Sequence, residues 1–179
     1  MAAALLVGLM VAATPLLSAC VSEENASPPE PTFQALVAPS EWSAVPRDED
    51  RFITDLDAAP ECVGPGFRSE EQWLEIDTGE CNWVTLTAPA HFAVARGEQL
   101  RVSVSHFDLN APAAAEGVAE LTFGECAAWS KLVAIPSAAA VYTETFASPC
   151  EVAARGRVYF HLHNHGQNTW QLQDVSALR

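Results

Sequence analysis

The stretch Arg157-Val158-Tyr159-Phe160-His161-Leu162-His163-Asn164-His165-Gly166-Gln167-Asn168-Thr169-Trp170-Gln171-Leu172 decides how the chain folds. Its first half alternates: Val158, Phe160 and Leu162 are apolar, and Tyr159, His161 and His163 stand between them. Successive side chains of a β-strand point to opposite faces. The alternation therefore predicts one strand face made for a core and another made for chemistry. His165 continues the histidine row but falls at the turn marked by Gly166, and Thr169 onward supplies the partner strand.

Working outward, the same period recurs. Gln99 to Phe107 places Leu100, Val102 and Val104 on one face, and the same phase turns His106 inward at the strand's end. Strands are expected over Trp73–Ile76, Trp83–Thr87, Phe92–Val94, Val118–Phe123, Trp129–Ile135, Val141–Phe146 and Thr169–Val175, separated by Gly and Pro turns. A short helix is expected near Arg47 to Leu56, and Asp108 to Gly117 is expected as a loop. Eight or nine short strands without a long helix predict an all-β fold, two antiparallel sheets packed as a β-sandwich.

Residues 1–19 contain no charged residue, and their apolar run is expected as an export signal outside the fold. The Pro-, Ser- and Glu-rich segment 20–40 is expected as a flexible tether, and 41–179 as a single domain. Nine basic against 23 acidic residues give a formal charge of −14, which argues against nucleic acid as a partner. The run Asp48-Glu49-Asp50 lacks the spacing of a calcium loop. After Cys20, four cysteines remain. Three disulfide connectivities are open to them, and pairing Cys62 with Cys81 and Cys126 with Cys150 closes two short local segments. The spacings do not suit a zinc site.

Leu17-Ser18-Ala19-Cys20 resembles the lipobox of bacterial lipoproteins. That resemblance implies a lipid on Cys20, the membrane as a partner, and, with Val21-Ser22 following, an outer-membrane location in the cell envelope. The series Val158, Phe160, Asn164, Gly166, Asn168, Trp170, Leu172 and Val175 resembles the last two strands of galactose-binding-like jelly rolls, the scaffold of many carbohydrate-binding modules. The resemblance implies core roles for Val158, Phe160, Trp170, Leu172 and Val175. Asp174 matches a position that often supports structural calcium in such domains. Residue 173 is Gln where many members have a second Asp, which argues against calcium here. The run from Cys81 to Val175 also resembles exported proteins of myxobacteria, which implies a fold and a location but no substrate.

The histidine face admits two chemistries. His161 and His163, joined by His106 from a strand end, would suit zinc or copper through neutral imidazoles. With water at a fourth position the same trio would make a zinc-dependent enzyme. A blue-copper centre is disfavoured, because both methionines lie in the signal segment. Alternatively, Tyr159, His161 and His163, with Trp129 or Trp83 as an aromatic platform, would form a concave sugar-binding face. The expected function is a non-enzymatic envelope lipoprotein binding a glycan or a divalent metal on this face. The alternatives are the zinc enzyme and a structural or assembly component that contacts an envelope protein.

Overall fold

The computed structural model describes residues 30–53 and 60–179. The expected signal segment, the lipidation position Cys20 and most of the expected tether lie outside the described residues. The compact unit runs from Pro31 to Arg179.

Among the described residues eleven strands form two antiparallel sheets. They are β1 (Phe33–Ala35), β2 (Ser43–Ala44), β3 (Phe67–Ser69), β4 (Leu74–Asp77), β5 (Trp83–Pro89), β6 (Gln99–His106), β7 (Ala115–Phe123), β8 (Cys126–Ile135), β9 (Ala140–Ala147), β10 (Arg157–Asn164) and β11 (Thr169–Leu178). One sheet has the order β3-β4-β11-β6-β9, with β1 also paired to β11; the other has the order β2-β5-β10-β7-β8. This is the expected all-β sandwich, with both expected disulfides, Cys62–Cys81 and Cys126–Cys150.

The count exceeds eight or nine because β1, β2 and β3 are two or three residues long, too short to show a period. β1 also moves the start of the domain ahead of residue 41. It pairs with Ser176–Leu178 of β11, and Leu36 and Val37 behind it are buried. Residues 47–53 form turns where a helix was expected, and Phe92–Val94 contributes only an isolated bridge from Val94 to Val152.

The core forms between the sheets where the alternation places it. Val158, Phe160 and Leu162 of β10 meet Val84, Leu86, Leu121 and Phe123 from neighbouring strands of their sheet. Leu74, Ile76, Leu100, Val102, Val104, Trp170 and Leu172 face them from the other sheet. Burying each large apolar side chain stabilises the fold by about 1.5–3 kcal/mol. In β11 the inward phase jumps from Leu172 to Val175, because a bulge falls between Leu172 and Asp174. Two residues, Gln173 and Asp174, then stand together on the outside.

Trp129, a candidate for a sugar platform, is buried in this core instead. Its indole N–H donates to Glu144 Oε2 at 2.9 Å, and Lys131 Nζ donates to Glu144 Oε1 at 3.1 Å. These bonds link β8 of one sheet to β9 of the other. Cys126–Cys150 links the start of β8 to the segment after β9.

Gly117 is a point of close packing between β7 and the end of β10. It lies opposite Asn164, and an added Cβ would sit 2.7 Å from Asn164 Oδ1 and 3.1 Å from Trp170 Cζ2. Asn164 cannot yield easily, since its amide nitrogen donates to Thr78 Oγ1 at 3.0 Å and to the Gly166 carbonyl at 2.5 Å. Gly117→Ala is expected to lower stability by about 1–3 kcal/mol, read as a reduced urea midpoint at unchanged slope. An unchanged midpoint would show that this contact has room to relax.

Candidate functional site

The outer face of the five-stranded sheet carries the histidine row. Pairing sets three cross-strand rows: Thr87–Tyr159–Thr122, Thr85–His161–Glu120 and Trp83–His163–Val118. The alternation of β10 thus delivers Tyr159, His161 and His163 to the side away from the core, as the sequence predicts.

Half of this face is covered by the turn segment before residue 54. Phe52 stacks on the His161 ring with centroids 4.3 Å apart and planes within 3°. The Arg51 guanidinium lies 4.8 Å over the Tyr159 ring and donates to Thr122 Oγ1. Asp50 Oδ2 accepts the Trp83 indole N–H at 2.9 Å. His161 is therefore only 4% exposed, with Thr85 Oγ1 2.8 Å from its Nδ1. Burial disfavours the imidazolium and lowers the His161 pKa to about 4; the Asp50 carboxylate acts in the opposite direction, and His163 adds to the lowering.

These positions correct two expectations. His106 does not join His161 and His163. It lies on the inner side of the six-stranded sheet against Trp170, with ring centroids 4.7 Å apart, whereas the other two are on the outside of the opposite sheet. His106 Nδ1 donates to the Phe107 carbonyl at 2.7 Å, and Nε2 accepts from the Tyr142 hydroxyl at 3.2 Å, so both nitrogens are engaged. Among the described residues no group of three His, Cys, Asp or Glu side chains is placed to hold a metal ion. The His106/His161/His163 centre for zinc or copper, and the zinc enzyme built on it, do not form. Nor is His161 available to a ligand beneath Phe52. Asp174, the position matched to calcium, pairs with Arg101 at 2.6 Å and accepts from Ser176 at 2.9 Å.

The other half of the face is open. A trough of about 830 Å³ runs between β7, β8 and the end of β10. Ala115, Val118 and Ala134 give it an apolar lining, and Glu116, His163 and His165 supply polar groups. Leu132, 59% exposed, pairs with Val118 and extends the apolar strip toward the sheet edge.

The histidine pair is oriented from behind. Asn82 Oδ1 accepts the Glu61 backbone N–H at 2.7 Å, which turns its amide nitrogen to His165 Nδ1 at 3.3 Å. His165 then carries its hydrogen on Nε2, which lies 2.9 Å from His163 Nε2 and donates to it. Trp83 packs on the His163 ring at 4.6 Å. That tautomer opposes metal binding, because a metal at His165 Nε2 would need the hydrogen moved to Nδ1, against the Asn82 amide.

Sequence reading gave His165 to the turn and assigned nothing to Arg51, Phe52, Asn82 or Glu116. Arg51 and Phe52 lie more than a hundred residues from β10, and no local period connects them to it. Only the indole of Trp83, which needs an acceptor when buried, hints at a carboxylate such as Asp50.

No protein-family model matches the chain, and no curated protein matches it. Among solved structures it is similar to the N-terminal cellulose-binding domain of Cellulomonas fimi β-1,4-glucanase C, at TM-score 0.45 and 17% identity over 86% of this chain and 97% of that one. It is also similar to a structure described as CBM4, at TM-score 0.45 and 12% identity over 79% and 89% of the two chains. A third likeness is to the CBM22-1–GH10 modules of Clostridium thermocellum endo-1,4-β-D-xylanase 10B complexed with xylohexaose, at TM-score 0.38 and 9% identity over 84% and 28%. At TM-scores below 0.5 no conclusion about ligand or activity follows from these likenesses.

The buried His161 predicts a pH response. Between its ordinary value of 6.5 and about 4, the unfolded chain takes up a proton here that the folded chain refuses. Stability should therefore fall as pH drops through that window, by on the order of 3 kcal/mol from this residue. Urea unfolding of wild type and His161→Phe across the window should show wild type losing more stability toward acid than the variant does. Parallel curves would mean that His161 protonates in the folded state as it does in the unfolded one.

Proposed function

We propose that the chain is a non-enzymatic carbohydrate-binding lipoprotein, anchored in the outer membrane through a lipid on Cys20, which takes a glycan in the trough beside His163 and His165. The observation that carries this reading is the combination in one open trough of an apolar strip with fixed polar groups. Sugars present C–H patches between hydroxyls. Ala115, Val118 and Ala134 can take the former, and Glu116 and the two imidazoles can pair with the latter. The preset orientation of His163 and His165 lowers the ordering cost of binding. The described lining carries one carboxylate, Glu116, whereas hydrolysis of a glycosidic bond commonly uses a pair; recognition is favoured over cleavage.

A glycan array followed by calorimetry tests the proposal. His163→Ala with His165→Ala, and separately Glu116→Gln, should weaken the bound glycan about 10–100-fold, the loss expected for removing hydrogen bonds to charged or polar partners. A flat array at about pH 6 and about pH 8, either side of the ordinary histidine value, would sink the reading. For the anchor, Cys20→Ser should shift the chain from the membrane fraction to the soluble one; unchanged membrane retention would count against lipidation.

A further inference from the structure

Part of the outward surface of the six-stranded sheet is of one chemical kind. Ser103 and Ser105 on β6, Thr143 on β9, and Gln171 and the bulged Gln173 on β11 form a continuous uncharged network. Ser103 Oγ lies 2.9 Å from Thr143 Oγ1 and donates to Gln173 Oε1 at 3.1 Å. Gln173 Nε2 donates to Ser105 Oγ at 3.0 Å, and Ser105 Oγ donates to Gln171 Oε1 at 3.3 Å. The bulge makes this possible: it inserts Gln173 between the Ser105 and Ser103 rows, where its amide reaches both. Each primary amide offers two donors and two acceptor lone pairs, so these bonds occupy only part of its capacity.

A depression of about 370 Å³ lies at one end of the network, lined in part by Ser105, Phe107, Val141, Thr169, Gln171 and Gln173. Phe107 is 52% exposed and Val141 65% exposed, two large apolar side chains left at the surface beside amides and hydroxyls. The chain carries 23 acidic residues, yet among the described residues that line the depression there is no Asp, Glu, Lys or Arg, and the His106 that also lines it is buried with both ring nitrogens hydrogen-bonded. Nearby on this face Arg101 is tied to Asp174 and Arg68 to Glu75, and the Asp108 carboxylate accepts the Ala139 backbone N–H at 2.7 Å.

We propose that this face is a second carbohydrate site, which takes uncharged oligosaccharides. Ring hydroxyls exchange hydrogen bonds with the Gln171, Gln173 and Ser105 side chains, while a sugar C–H face packs on Phe107 and Val141. An ionised sugar would lose hydration here and find no opposite charge free to pair with it. The site lies on the opposite side of the sandwich from the trough and does not depend on it.

The test is amide chemical-shift mapping of the purified chain with neutral β-1,4-linked glucose, xylose and mannose oligomers and with oligogalacturonate. A neutral oligomer should shift Ser103, Ser105, Phe107, Gln171 and Gln173 in a saturating manner, with oligogalacturonate leaving them unmoved. Phe107→Ala and the Gln171→Ala/Gln173→Ala pair, each checked for an unchanged melting midpoint, should weaken that binding at least about tenfold. His163→Ala/His165→Ala should leave these shifts intact. The proposal is overturned if no neutral oligomer moves these residues at concentrations of about 10 mM, where even weak millimolar binding would register. It is equally overturned if the shifts map only to the trough, or if oligogalacturonate produces the same response.

Discussion

The fold depends on how the chain crosses from the centre of one sheet to the centre of the other between Asn164 and Thr169. β10 and β11 are each flanked on both sides by other strands, so every register in the sandwich is referred to these two. A crossing at this depth leaves backbone groups without ladder partners, and they must be satisfied locally. Thr78 performs that task. Its Oγ1 lies 2.5 Å from the Gly166 carbonyl and 2.7 Å from the Asn168 carbonyl, and it accepts from the Asn168 N–H at 3.2 Å and the Asn164 amide at 3.0 Å. Asn164 is fully buried, and Gly117 leaves it room. Three distant segments thus meet at one polar knot, and the geometry of both outer faces follows from it.

The two faces differ because β10 and β11 treat their alternation differently. β10 keeps a strict period and so commits one set of residues, Tyr159, His161 and His163, to the outside. β11 breaks its period at the bulge and sets Gln173 and Asp174 outside together. The first face is titratable and partly covered by its own chain. The second carries an amide- and hydroxyl-rich patch, open at Phe107 and Val141. One sandwich thereby presents two unlike outer surfaces from adjacent strands of sequence.

What local pattern can express was legible. The inward set Val158, Phe160, Leu162, the inward turn of His106 and both disulfides followed from period and spacing, and the structure holds them. What depends on a second strand was not. The phase of His106 says that it points inward, but not that its sheet lies opposite the one carrying β10. The phase of His161 says that it leaves the core, but Phe52 covers it from a segment with no period of its own. β1 escaped for a related reason: three residues contain no measurable alternation, and their place is set by pairing with the far end of the chain. The Leu172-to-Val175 spacing was visible, and only the register identified it as a bulge that moves Gln173 into a network.

The cover over His161 also decides which part of the histidine face is open. With Phe52 stacked on the ring and Arg51 over Tyr159, the aromatic part of the face is filled by the protein's own side chains, in the manner in which a sugar would fill it. Contact with solvent passes to His163 and His165, whose Nε2 atoms share one hydrogen bond. Around them the whole chain carries a formal charge of −14, a field that opposes anionic ligands over the range of a Debye length, about 8–10 Å at ordinary salt. On the six-stranded sheet, with Arg101 and Arg68 already bound to carboxylates, nothing offsets it. Both open faces therefore lie in a field that disfavours anions, and they differ in the groups they present: imidazoles and Glu116 in the trough, amides and hydroxyls on β6 and β11.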